Sequence, residues 1–491
     1  MHYAPARAFA LTIVLSIVAA VPAMGQEPQL PPGLGEAEAK QGPDLPPGLG
    51  GDADEPGLPP GLGSDGSGEA EPGLPPGLGD TAAEADAEEE EESWRDRLPF
   101  DLHGFWETRA AVRVVEEEAQ PTDWTLGETR LQLESDFYWR DVRFQDTVDI
   151  YGDAITERLE LDVRQSRVVF SPTASVDVQA GRQVLTWGTG DMLFINDMFP
   201  KDWVSYFSGR EVEYLKAPSD SLKVGWYPEL ANVEIVYTPQ FAPDRFIKGE
   251  RISYWNPLLN DHAGHGGQVD YNAPSTWFED DEIAVRVYRR FGRYEAALYG
   301  YSGYWKSPGG QRIIPLGQAS FPKLRVYGAS IRGTLGPGIA NAEIGYYDSY
   351  QDRDGTNPLI NNSEFRVLVG YEQELAKEFT GAIQWYLEHM MDYEAYRHNR
   401  FFFEPIRDKD RHVVTLRLTK LLLNQTLTLS FFGYWSPTDE DAYLRPKATY
   451  EITDDWTLEA GLNVWLGEKD TSFFGQFEDN TNVYAGARFS F

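Results

Sequence analysis

From Asp101 to the last residue, apolar and polar side chains alternate one by one. In residues 159–163 (LELDV), Leu159, Leu161 and Val163 alternate with Glu160 and Asp162, and Arg164 continues the polar row. Residues 129–136 (TRLQLESD) place Leu131 and Leu133 on one face and Arg130, Gln132, Glu134 and Asp136 on the other. Residues 282–287, 364–371, 414–419 and 456–465 follow the same rule. Period two predicts β-strands with one apolar and one polar face. A soluble β-sandwich alternates too, but its strands run about 5–6 residues. Many of these segments run ten or more, and rings gather at their ends: Tyr138-Trp139, Trp226-Tyr227, Tyr346-Tyr347, Trp385-Tyr386 and Tyr434-Trp435. Long alternating strands with aromatic ends are what a membrane barrel needs at its two interfaces.

The pattern predicts an all-β fold, a transmembrane antiparallel outer-membrane β-barrel of about 18 strands. Their starts fall near 101, 127, 142, 158, 174, 220, 230, 281, 292, 321, 338, 362, 376, 408, 423, 440, 455 and 480. Sixteen strands is the alternative, since residues 215–239 admit a second reading. Short connections, such as Arg140-Asp141 and Phe291-Gly292, alternate with long ones at 115–126, 186–219, 240–280, 304–320, 351–361, 391–407 and 467–479. Short turns face the periplasm and long loops face outward in such barrels. The final strand sets Val483, Ala485, Ala487, Phe489 and Phe491 on one face. Alternating apolar positions closed by a terminal Phe resemble the C-terminal signature read by the barrel-assembly machinery, so Phe489 and Phe491 are the expected assembly signal.

Residues 1–25 read as a signal peptide: Arg7, an apolar run at 9–20, then Ala23-Met24-Gly25. That run is short for a bilayer-spanning helix, which needs about 20 residues. Residues 26–93 then hold 18 acidic residues against one base, Lys40, and no aromatic. Such a composition predicts a disordered periplasmic tether. It carries L-P-P-G-L-G four times, at 30–35, 45–50, 58–63 and 74–79. One reading is a spaced linker. The other is four docking motifs for a periplasmic or inner-membrane transport partner, presenting Leu30, Leu34, Leu45, Leu49, Leu58, Leu62, Leu74 and Leu78 on a polyproline-stiffened backbone. The barrel domain is then 94–491.

Composition removes several chemistries. A net charge of −35 argues against nucleic acid. With no cysteine there is no disulfide, thiolate zinc site, iron–sulfur cluster, covalent haem attachment or thiol nucleophile. No nucleophile elbow, zincin helix, phosphate loop or dinucleotide fingerprint occurs, so no catalytic residue, metal site or cofactor is assigned. His262 and His265 form the one suggestive pair, but the surrounding glycines favour a polar loop over a ligand set.

Residues 181–191 (GRQVLTWGTGD), 196–202 (NDMFPKD), 210–218 (REVEYLKAP) and 237–246 (YTPQFAPDRF) together resemble a proteobacterial porin-like outer-membrane family of unknown function. Phe199 stands where that family carries Asn before the proline. The resemblance implies a porin-like barrel tied to export of hydrophobic or aromatic compounds. Independently, residues 186–219 mix many rings with Asp191, Asp197, Lys201, Asp202, Arg210 and Glu211. Exposing so many rings to water is unfavourable, so this loop is expected to fold inward and form the constriction. The polar phase of the strands gives the lumen-facing candidates Arg130, Glu134, Glu160, Asp162, Arg164, Arg286, Glu364, Arg366, Arg417 and Arg488. Mutual pairing of these charges into a plug is the competing arrangement. The expected function is an outer-membrane channel or transport component for a small solute, with outer-membrane lipid as its surroundings. An electron-conduit sheath and an outer-membrane hydrolase are the alternatives.

Overall fold

The computed structural model describes residues 101–491, Leu316 and Phe403 excepted. The signal peptide, the tether with its eight docking leucines, and residues 94–100 lie outside the described residues. Eighteen strands form one closed antiparallel sheet. They are β1 Asp101–Arg113, β2 Trp124–Trp139, β3 Val142–Asp153, β4 Arg158–Thr173, β5 Val176–Val184, β6 Pro218–Trp226, β7 Asn232–Thr238, β8 Glu282–Phe291, β9 Tyr294–Tyr304, β10 Lys323–Leu335, β11 Gly338–Asp348, β12 Glu364–Ala376, β13 Phe379–Met390, β14 Asp410–Leu422, β15 Leu427–Ser436, β16 Asp441–Glu451, β17 Trp456–Gly467 and β18 Asn482–Ser490. Residues 215–239 supply two strands, β6 and β7, so the count is eighteen and not sixteen.

Each strand starts within four residues of its expected position. The largest shift is at β15, where Leu423, Asn424 and Gln425 take positive φ and widen the turn. Closure comes from β1 against β18, running from Phe105 opposite Ser490 to Arg113 opposite Asn482. Phe491 extends the seam by exchanging backbone hydrogen bonds with Gly104, at 3.0 and 2.9 Å. A closed sheet has no edge, which lets a barrel satisfy its backbone in lipid.

The outward face is apolar at mid-wall: Leu131, Leu133, Ile150, Ile235, Leu298, Ile331, Val369, Ile383, Leu416 and Leu462. Three of the five ring pairs at strand ends divide between two tasks, because neighbours on a strand point to opposite sides. Trp435 is 55% exposed on the outside, whereas Tyr434 is 5% exposed inside. Tyr346 with Tyr347 and Trp385 with Tyr386 split in the same way. The outer members form the girdle and the inner members pack on what fills the lumen. No described helix is long and apolar enough to cross a membrane.

Candidate functional site

The β5–β6 connection enters the barrel. Its rings pack against the inner wall: Trp187 lies edge-on to Phe199, with centroids 5.0 Å apart. Phe207 meets Tyr443 at 5.3 Å and Trp465 at 5.9 Å. A short helix, α1 (Trp203–Ser208), presents Tyr206 and Phe207 to this cluster. The Asp202 side chain accepts the Ser205 N–H at 2.7 Å and caps the helix. Gly209 ends it at φ 92°, with the Tyr484 ring 2.9 Å from where a Cβ would stand. The wall makes room in turn. A Cβ on Gly328 would overlap the Asn196 side chain, and one on Gly345 would lie 2.6 Å from Ile195.

Opposite sides of the ring hold the loop. On β11, the buried Glu343 carboxylate accepts the Gly190 N–H at 2.8 Å and the Asn196 Nδ2 at 2.9 Å, and also bonds the Thr189 N–H. On the same strand, Asn341 Nδ2 donates to Thr189 O at 2.7 Å and Tyr347 Oη to Ile195 O at 2.5 Å, while from β15 Tyr434 Oη donates to Met192 O at 2.8 Å. Across the lumen the contacts are ionic. Arg210 pairs with Glu128 at 2.5 Å, and Glu128 also binds Arg130, which reaches Asp149. Glu211 meets Arg109 at 3.0 Å and Lys447 at 3.1 Å, and both cations share Glu459. Arg445 Nη2 donates to Arg210 O at 2.7 Å.

The six expected constriction residues all lie in this inserted segment, but they do not form one ring around an opening. Asp191 pairs with Arg417 at 2.9 Å on the β14 side. Asp197 and Lys201 pair with each other at 3.0 Å, buried. Asp202 caps α1 and meets Arg245 at 3.3 Å, while Arg210 and Glu211 belong to the ionic clamp. The ten lumen candidates stand on the inward phase of their strands. Arg130, Arg417 and Arg488 brace the loop, Arg488 through Glu213 at 3.1 Å. Arg164 donates to Glu213 O and Lys216 O at 3.2 and 3.0 Å. Asp162 pairs with Arg245 at 2.8 Å, Arg286 with Glu295 at 2.7 Å, and Glu364 with Arg366 at 2.6 Å. Glu160 accepts Tyr151 Oη at 2.7 Å, and Glu134 is exposed opposite Thr147. His262 Nε2 lies 3.2 Å from Gln476 O, while His265 opens a short 3-10 turn.

Sequence reasoning missed Glu343, Arg109, Glu128 and Arg445. Glu343 is the lone acid on the inward phase of β11, between Asn341 and Gly345, and that isolation was the available signal. Arg109 and Glu107 share an inward phase in β1, so alternation extended to that strand would have found them.

Above the inserted segment, toward the long loops, lies a cavity of about 600 Å³. Phe194, Trp203, Tyr386 and Tyr434 line it together with Arg366, Arg407 and Arg411. Arg366 sits over the Tyr347 ring at 4.0 Å and Arg411 over Phe473 at 4.5 Å. Arg407, 44% exposed, stays 3.4–3.5 Å from Glu388 and Glu364. On the cavity wall, Asp244 accepts the Lys201 N–H at 2.7 Å and Ser307 Oγ at 2.7 Å. Burial pushes its carboxyl above the ordinary range, against the pull of Ser307 and Lys201.

No family model matches the chain, and no curated protein matches it. Among solved structures it is similar to the outer membrane channel DcaP of Acinetobacter baumannii, at 10% identity over 80% of this chain and 97% of that one, with a TM-score of 0.39. OccAB3 of Acinetobacter baumannii is similar at 9% identity over 80% and 99%, with a TM-score of 0.47. A triple mutant of the Rhodopseudomonas blastica porin is similar at 10% identity over 80% and 100%, with a TM-score of 0.37.

Proposed function

We propose that this chain is a narrow outer-membrane channel for a small solute with an apolar or aromatic body and a polar group. The observation that carries the reading is the 185–217 segment, bonded to both sides of the lumen by named contacts. A wide barrel is thereby reduced to the space around one fixed segment, the arrangement by which a pore selects. The cavity above it offers rings for an apolar body and three guanidiniums for a polar head. A threaded cytochrome would need the space that this segment fills, which counts against the electron-conduit reading. The four leucine-proline repeats add a periplasmic docking arm to the proposal, resting on the repeats alone.

Single-channel recording in planar bilayers tests it, with residues 26–491 compared with 94–491. Small, steady currents are expected from both, reduced by an aromatic carboxylate added on the long-loop side. Folded barrel with no current and no solute uptake into liposomes would overturn the reading.

A further inference from the structure

Arg445 stands on the inward phase of β16, 4% exposed, between Tyr443 and Lys447. Its surroundings set it apart from the other buried arginines. Arg109, Arg130, Arg210 and Arg251 each bind a carboxylate. Arg113 directs three nitrogens at oxygen atoms, and Arg164 donates to two backbone carbonyls. Arg445 has no carboxylate within ion-pair distance among the described residues. Its Nη2 reaches Arg210 O, while Nε and Nη1 are buried without an acceptor. Glu211 and Glu459, the acids of the adjacent clamp, are taken up by Arg109 and Lys447. Asn463, on the facing stretch of β17, accepts Tyr443 Oη at 2.6 Å and donates to Asn482 at 3.0 Å.

Two phenols close over this guanidinium. Its central carbon lies 4.7 Å from the centre of the Tyr206 ring and 5.8 Å from that of Tyr484. Both residues are buried, and both hydroxyls lack a hydrogen-bond partner. Tyr206 comes from α1 and Tyr484 from β18. In the register of β17 and β18, Tyr484 faces Gly461, where a Cβ would collide with its hydroxyl. The missing side chain lets the ring lean across β17 toward β16. On β16 itself Pro446 has no N–H, and the ladder to β17 breaks between Leu444–Val464 and Lys447–Gly461. Three elements thus bring open donors to one enclosed spot. A guanidinium kept from water with no counter-charge is strongly unfavourable.

We propose that this spot binds a halide ion, chloride under ordinary conditions, held between Arg445, Tyr206 and Tyr484. A single anionic atom suits one uncompensated positive charge in a nearly closed space. It meets two guanidinium nitrogens and two hydroxyls that are free to rotate toward an acceptor. The edges of the surrounding rings carry partial positive charge as well. Water would accept the same bonds, but it leaves the charge of Arg445 unneutralised. The spot is separate from the cavity above the inserted segment, whose lining includes none of these three residues. The ion ties α1 to β16 and β18. It therefore supports the segment in place and does not travel through the pore.

The full chain crystallised with bromide in place of chloride should show anomalous scattering beside Arg445, Tyr206 and Tyr484. An ordered water there without a bromide signal overturns the proposal. Thermal unfolding in detergent gives a second reading. At fixed ionic strength, replacing gluconate by chloride should raise the midpoint of the wild type until the site saturates. Tyr484→Phe keeps the ring and removes one hydroxyl, so about tenfold more chloride should be needed for half of that rise. Arg445→Met should abolish the rise, and if that variant does not fold, Y484F alone decides. A wild type indifferent to chloride overturns the proposal. So does the same chloride response in Y484F as in the wild type, which would place the halide elsewhere, as at Arg407 and Arg411 of the cavity.

Discussion

The two sides of the lumen hold the same segment by different chemistry. On the β1–β3 and β16–β18 side, Arg109, Arg130, Lys447 and Arg488 interleave with Glu107, Glu128, Asp149 and Glu459, and the loop adds Arg210, Glu211 and Glu213. Several of these charges have two or more partners, so most single contacts are backed by others. On the β11 side one carboxylate, Glu343, gathers four loop N–H groups, and the rest are hydrogen bonds from neutral side chains. A redundant ionic clamp contributes to stability and tolerates local loss. A single acceptor concentrates the position of residues 189–196 in one side chain. Stability and pore shape should therefore separate between the two walls.

Arg109→Ala tests the ionic side and carries the largest stability change. Arg109 is 3% exposed and binds three carboxylates, Glu107, Glu211 and Glu459. Removing it strands buried acids, a loss of about 3–5 kcal/mol. Urea titration of the barrel in lipid vesicles should show it, while conductance changes little because Arg210–Glu128 and the β11 contacts still place the loop. A large conductance change with unchanged stability would reverse the assignment of the two walls. Glu343→Ala comes next. Leaving the loop N–H groups without their acceptor should cost about 3 kcal/mol. Its main signature should be higher, noisier single-channel current as residues 189–196 come away from the wall. Glu343→Gln should fall between, since its carbonyl accepts but its amide offers hydrogens to groups that are already donors.

How far the sequence reveals these two walls follows from what alternation can encode. Period two tells which side of a strand a residue faces, so the strand positions and the inward phase of Arg130, Glu364 and Arg488 are readable from residues alone. It says nothing of who stands opposite. Arg109 and Glu459 are 350 positions apart, and their meeting is set by barrel closure. Ring content marked 186–219 for the interior, because ring burial is a property of composition. The docking points were hidden, since backbone N–H groups leave no residue signature and only its isolation on the inward phase of β11 marks Glu343.

Asp244 offers the smallest and most specific test, because it supports the loop from neither wall. It comes from the β7–β8 connection and holds the Lys201 N–H, Trp203 Nε1 at 3.3 Å and Ser307 Oγ, with no cation bound directly to its oxygens among the described residues. Burial keeps its folded-state carboxyl above the ordinary range. The folded state thus holds this proton more tightly than the unfolded chain, whose Asp titrates near ~3.9. The resulting stabilisation is fully present below that value and is lost as pH rises through the folded value. Asp244→Asn cannot titrate and should remove this part of the pH slope. Resistance to heating in detergent, followed from acid to neutral pH, should therefore fall more steeply for the wild type than for D244N. The ionic clamp titrates in both proteins and cancels in the difference, so the comparison isolates one carboxyl. Parallel curves would mean that water reaches Asp244, and that Lys201 and α1 are held by the clamp and Glu343 alone.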